Sequence, residues 1–193
     1  MVARLVRGSG YRVVGPGLIP QTDPGAPWDI VFLDRDGTIN TRLEGYVSDP
    51  HDLELLPGAA DAVARLNRSG CRVVVVTNQR GLSTGRLTWG EWDAVMHRLH
   101  DLLTHSGAHI DRVELCPHAE GTCGCRKPRP GLFLQALAAA PWARARRCAV
   151  VGDMPSDVAP ARHLGMHAIE LGVDAPSLAA AVDMLLSEGF GTR

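Results

Sequence analysis

Two aspartates stand two positions apart in the stretch VFLDRDGTIN, as Asp34 and Asp36, directly behind an apolar β-like run and ahead of Gly37 and Thr38. One carboxylate there would serve a surface turn. Two, spaced so that both side chains point to one side of an extended chain, mark a place where charge is handled. Three further β-like runs end in comparable residues: RVVVVTN in Thr77 and Asn78, RVELC in Cys-Pro-His, and CAVVGD in Asp153, with Asp157 four positions on.

If those ends meet in one crevice, three or four carboxylates repel each other unless a cation lies between them. All-oxygen ligation suits a hard ion, and magnesium takes one or two protein carboxylates while keeping several waters. Arg126 and Lys127, in CRKPRPG, add positive charge from a neighbouring loop. Carboxylates, magnesium and a lysine are what phosphoryl transfer needs: the cations neutralise the phosphoryl oxygens while a carboxylate attacks.

A second cluster lies in CPHAEGTCGC. Cys116, His118, Cys123 and Cys125 supply three thiolates and one imidazole, a closed tetrahedral zinc set that leaves no open position and so folds a loop rather than catalyses. Cys125 is followed at once by Arg126 and Lys127, so the zinc would fix the loop that presents the lysine. The rival is a redox pair at Cys123 and Cys125. Five cysteines, three of them within ten positions, point to metal rather than to a disulfide framework. Cys71 and Cys148 flank β-like runs and read as small buried hydrophobes.

Strands must deliver these residues. Four short β-branched runs alternate with segments of helical spacing at roughly residues 58 to 69, 88 to 106, 130 to 140, 156 to 164 and 175 to 187. The alternation predicts an α/β fold: a three-layer, Rossmann-like parallel sheet with helices on both faces and ligands beyond the carboxyl ends of the strands. No insertion is long enough for a large cap domain, so the pocket should be open and its substrate small. Residues 1–28, rich in Gly and Pro, read as an N-terminal arm or extension, and residues 29–190 as the domain.

Composition excludes more than it proposes. The chain has 193 residues, 45% of them hydrophobic, and a formal net charge of -1. This is enough for one core and gives no long-range field for nucleic acid. There is no run of eighteen apolar residues and no signal pattern, so the expectation is a soluble, cytoplasmic protein without a membrane partner, either a monomer or a homodimer. His97, His100 and His105 read as the solvated face of a helix. Arg144, Arg146 and Arg147 read as a solvated turn, and Trp89 and Trp92 as packing anchors.

The segments DRDGT, TNQ, RKP and GDMPSD, in this order between about Ile30 and Glu170, resemble the four motifs of the haloacid dehalogenase superfamily of phosphohydrolases. The resemblance implies Asp34 as a nucleophile that forms an aspartyl-phosphate. It implies Asp36 as the acid that protonates the leaving oxygen and then activates water, with a raised pKa, while Asp34 stays ionised. It further implies magnesium held by Asp34, the main-chain carbonyl of Asp36 and Asp153, with Thr77 and Lys127 on the transferred phosphoryl group and Asp157 supporting the metal's waters or Lys127. Cys-Pro-His followed by Cys-x-Cys-Arg-Lys-Pro is similar to the heptose 1,7-bisphosphate 7-phosphatases and the related histidinol-phosphate phosphatases. GYV at Gly45 to Val47 and the flanking segments look more like the heptose branch. By that similarity the substrate is a small phosphorylated sugar, with Glu44, Gly45, Tyr46, Asn78, Gln79, Arg80 and Arg126 lining its sugar and distal-phosphate side.

Two departures lie on the substrate side. Only four residues separate His118 from Cys123, as in the histidinol type, and Met154 follows Asp153 where Lys or Arg is common. The readings that compete are histidinol-phosphate hydrolysis and a zinc-stapled binding module without turnover.

Overall fold

Apolar β-branched runs that alternate with helices bury both faces of a sheet, and here they build five parallel strands: β1 (Ile30–Leu33), β2 (Arg72–Asn78), β3 (Arg112–Cys116), β4 (Cys148–Gly152) and β5 (His167–Glu170). Their order across the sheet is β3-β2-β1-β4-β5. The computed structural model describes residues 17–187. The helices are α1 (Ala59–Arg68), the short α2 (Gly81–Thr84), α3 (Trp89–His105), α4 (Gly131–Ala138), α5 (Pro155–His163) and α6 (Leu178–Ser187).

Strand residues alternate between two cores, as the pleat requires. Val31, Leu33, Val73 and Val75 pack with Trp92 and Leu99 of α3, Val63 of α1 and Val182 of α6. Ile30, Phe32, Val74 and Val76 pack on the other side with Leu132 and Phe133 of α4 and Ala161 of α5, where Phe32 and Phe133 meet edge to face at 5.3 Å. The three layers and the parallel sheet match the sequence expectation. β5 adds a strand that the sequence does not announce, because an edge strand reading His-Ala-Ile-Glu is only half buried and lacks an apolar run.

Local chemistry fixes the ends. α3 starts in a capping box, in which the Thr88 hydroxyl accepts from the Glu91 amide and the Glu91 carboxylate accepts from the Thr88 amide. Between β1 and α1 the described chain forms only a 3-10 turn and isolated bridges, with no cap domain. Part of the arm expected over residues 1–28 lies outside the described residues. Its described part packs on the domain: the Ile19 amide donates to the Ala139 carbonyl, and Trp28 Nε1 donates to the Leu185 carbonyl.

Two surface readings change. Trp92 is buried as expected, but Trp89 is 47% exposed and lies outside the buried core. Arg147 is not simply solvated, since its Nε donates at 2.8 Å to the buried Asp29. Cys71 and Cys148 are buried. No helix among the described residues is long and apolar enough to cross a membrane.

The sheet-to-α4 core predicts a contrast measurable by chemical denaturation. Phe133→Ala should cost about 3–5 kcal/mol, while truncation of its exposed neighbour Leu134 to Ala should change stability by less than about 0.5 kcal/mol.

Candidate active site

β1 lies between β2 and β4; the chain leaves β1 toward β2 and leaves β4 toward β5 on the opposite side, so a crevice opens at the carboxyl ends of the two central strands. Leu33 is in register with Val75 and with Val151, which sets Asp34, one residue on, at the rim of the sheet between its neighbours. There a cavity of about 300 Å³ is lined by both Asp34 and Asp36, with Thr77, Lys127 and Asp157. The two aspartates therefore do share one crevice.

Asp34 and Lys127 form the centre. Lys127 Nζ donates to Asp34 Oδ1 at 2.7 Å and to the Val76 carbonyl at 2.7 Å, and pairs with Asp157 Oδ1 at 2.7 Å. All three side chains are nearly inaccessible. The loop carrying Lys127 is held by Asn78, whose side-chain amide donates to the Lys127 carbonyl at 3.0 Å and accepts from its amide at 3.1 Å.

Burial and neighbours push the two aspartates in opposite directions. Burial raises Asp34 from its ordinary 3.8 to about 6; Lys127 pulls it back, and the nearby Asp157 and Asp36 push it further up. Burial also raises Asp36, but Arg35 outweighs it: the guanidinium donates from Nε and Nη2 to the Asp36 carboxylate, Asn40 and Gln79 donate as well, and the pKa falls below its usual value. This reverses the expectation of a raised Asp36. The cause is that Arg35 is fully buried, stacked on Trp92 at 5.0 Å, and has Asp36 as its only carboxylate partner among the described residues. Burial would lower Lys127, but Asp34 and Asp157 hold its pKa up. Asp153 is raised by burial, with Arg42 opposing.

The donor set suits a hard divalent ion. Carboxylate oxygens of Asp34, Asp153 and Asp157 lie within 4.8 Å of one another. Gly37 lets the turn after Asp36 pass close by: its φ is 92°, and a Cβ there would stand 2.2 Å from Asp153 Oδ2. The Asp36 carbonyl and the Asp153 carboxylate already attract a cation, since Arg42 Nη2 lies 3.0 Å from the first and 2.9 Å from the second.

The sulfur cluster is equally compact. Cys116 Sγ lies 3.7 Å from His118 Nδ1, 3.6 Å from Cys123 Sγ and 3.3 Å from Cys125 Sγ, and Cys125 lies 3.2 Å from His118 Nδ1 and 3.4 Å from Cys123. These are close to the roughly 3.5–3.8 Å edges of a tetrahedron around zinc with bonds of about 2.0–2.3 Å. α4 presses against this loop, since a Cβ on Gly131 would stand 2.4 Å from the Gly124 carbonyl oxygen.

Placement separates the expected substrate residues. Gly45, Tyr46, Asn78 and Gln79 line the cavity, whereas Glu44, Arg80 and Arg126 are absent from its lining. Asn78 spends both ends of its amide on the backbone of Lys127, and Gln79 bridges Asp36 and Thr77 at 2.8 and 3.0 Å. Sequence reasoning missed Arg42, Asn40 and Ser156. Arg42's only signal is a basic residue six positions after Asp36, in a stretch with no periodicity.

A family model described as haloacid dehalogenase-like hydrolase matches residues 29–165. The D-glycero-alpha-D-manno-heptose-1,7-bisphosphate 7-phosphatase of Mycobacterium tuberculosis is 41% identical over 136 residues, 69% of this chain and 71% of that protein. The D-glycero-beta-D-manno-heptose-1,7-bisphosphate 7-phosphatase of Bordetella bronchiseptica is 36% identical over 105 residues, 54% of this chain and 59% of its own length. The crystal structure of D,D-heptose 1,7-bisphosphate phosphatase from B. bronchiseptica, complexed with magnesium and phosphate, superposes with a TM-score of 0.75 at 29% identity, covering 82% of this chain and 98% of that one.

Asp34 leaves a pH signature. Its folded pKa lies above the unfolded one, so the fold favours the protonated carboxyl; that stability is present below the ordinary pKa and lost as pH rises through about 6. In metal-free protein, the unfolding free energy of the wild type should fall relative to Asp34→Asn between pH 4 and pH 6, by on the order of 1–3 kcal/mol. Parallel curves would mean that Asp34 titrates as an ordinary aspartate.

Proposed function

This chain belongs to the haloacid dehalogenase-like hydrolases, and we propose that it is a magnesium-dependent phosphatase that removes the 7-phosphate of D-glycero-D-manno-heptose 1,7-bisphosphate through a phosphorylated Asp34. The observation that carries the reading is Asp34 itself: buried, 2.7 Å from Lys127 Nζ, and opening on a cavity that Asp36 and Thr77 also line. The names of the relatives supply the sugar, and the cavity's volume lies at the small end of small-molecule sites, where a sugar phosphate belongs.

In this reading an Asp34 oxygen attacks phosphorus, the bond from phosphorus to the sugar oxygen breaks, and that oxygen takes a proton from Asp36. Water then gives its proton back to Asp36 and attacks the phosphoryl group on Asp34, which releases inorganic phosphate and restores both carboxylates to their starting states. Lys127 and the Thr77 hydroxyl would bind the phosphoryl oxygens. A magnesium ion held by Asp34, Asp153 and the Asp36 carbonyl would supply further positive charge to those oxygens. Asp36's low resting pKa suits the water step. The acid step needs it raised, which an incoming phosphate dianion beside it does.

Zinc on Cys116, His118, Cys123 and Cys125 would have a structural part, holding the loop that ends in Lys127. The Arg126 amide donates to Cys123 Sγ at 3.4 Å, which ties the cluster to the residue before the lysine. Arg126, away from the cavity lining here, would reach the distal phosphate only by reorienting.

Phosphate release from the heptose bisphosphate, tested as both anomers beside histidinol phosphate, should occur only with magnesium, and Asp34→Asn should lower turnover by about a thousandfold or more. Preferential release from histidinol phosphate, which the four-residue spacing between His118 and Cys123 favours, would overturn the sugar assignment; unchanged turnover in Asp34→Asn would overturn the mechanism. Elemental analysis should find one zinc per chain. Cys125→Ser should lose that zinc and unfold at lower temperature.

A further inference from the structure

The guanidinium of Arg42 stands on oxygens that a divalent ion would use. Its Nε and Nη2 donate to the main-chain carbonyl of Asp36 at 3.2 and 3.0 Å, and Nη2 lies 2.9 Å from both carboxylate oxygens of Asp153. An ion bound at about 2.1 Å from the same oxygens would face a second positive charge on them, and two such charges repel. Both cannot keep the position.

Arg42 is also suited to leave it. Its side chain is 44% exposed and belongs to no helix or strand, so no core depends on it. The other lining cation, Lys127, is 2% exposed and tied to Asp34, Asp157 and the Val76 carbonyl, and so cannot serve elsewhere. Met154, which also lines the cavity, carries no charge. A bisphosphate brings two multiply charged groups, and Lys127 with a divalent ion can neutralise only the one that reacts. Among the described lining residues, the second group has Arg42 alone to meet it, with a planar fork that matches phosphate oxygens.

We propose that Arg42 is an internal counter-cation with two stations: it holds the divalent-ion position between Asp153 and the Asp36 carbonyl in metal-free protein, and once displaced by the ion it grips the second phosphate of a bisphosphate substrate. The second station rests on the phosphatase reading above; the first does not. The arrangement links metal loading to substrate choice, because only the metal-bound protein has its arginine released.

The test compares wild type with Arg42→Gln and Arg42→Lys. Calorimetric titration with magnesium alone should show Arg42→Gln binding the ion about five- to thirtyfold more tightly than wild type, since no internal charge-assisted hydrogen bonds need breaking, with Arg42→Lys between them. At saturating magnesium, Arg42→Gln should raise KM for heptose 1,7-bisphosphate about tenfold and leave KM for heptose 7-phosphate unchanged. An arginine that merely props its loop would weaken both ligands or neither. Equal or weaker magnesium binding in Arg42→Gln overturns the first station, and equal KM shifts on the two sugars overturn the second. Since the titration contains no substrate, an error in the sugar assignment leaves the magnesium result intact.

Discussion

Asp34, Asp153 and Asp157 bring carboxylate oxygens within 4.8 Å of one another at the carboxyl ends of the sheet. At an effective dielectric near 20, a pair of unit charges about 4 Å apart repels by about 4 kcal/mol, so this grouping persists only where cations are delivered to it. Lys127 answers two of the acids at once, and Arg42 answers the third. Much of the surrounding structure serves that delivery. Asn78 grips the backbone of Lys127 from the end of β2, the thiol and imidazole cluster orders the residues just before it, and α4 packs beneath that cluster through Gly131.

The same constraint gives the two aspartates of DRDGT different characters. Asp34 is sunk among acids and relieved by one lysine, so its carboxyl is pushed up, whereas Asp36 sits over a buried arginine and is held down. Environments that drive two carboxyls apart are the usual basis for dividing chemical roles between them. Under the proposed function that division would depend on charge arriving with ligands: a cation beside Asp34 would favour its ionised form, and a phosphate beside Asp36 its protonated form. In the proposed reading the two carboxyls would thus be poised in opposite directions before loading, and the metal and phosphate would correct both.

The sheet and the acids were legible in the sequence for a simple reason. Continuous apolar runs such as VVVV bury on both faces, and a carboxylate at the end of such a run has nowhere to go but the crevice. Cys116 to Cys125 were legible because three thiols and an imidazole at such close spacing suit a metal better than a disulfide or a core. β5 was not, since an edge strand needs no apolar run. Neither was Arg42, whose partner Asp153 lies 111 positions away. The reversal at Asp36 was hidden as well: Arg35 is visible as its neighbour, but only the packing of Trp92 and Met96 turns that guanidinium inward onto the carboxylate. Residue type and spacing reported that the acids, Lys127 and the sulfur cluster gather; the balance of charge among them is a property of the folded interior.

Everything proposed for the reaction turns on Asp34 carrying the phosphoryl group. Borohydride reduction of protein quenched during turnover converts an acyl phosphate to an alcohol, and peptide mass spectrometry locates it. Transfer through Asp34 predicts homoserine at position 34, formed only when both heptose bisphosphate and magnesium are present. Reduction found at position 36 or 153 instead, or steady turnover with position 34 untouched, would contradict it.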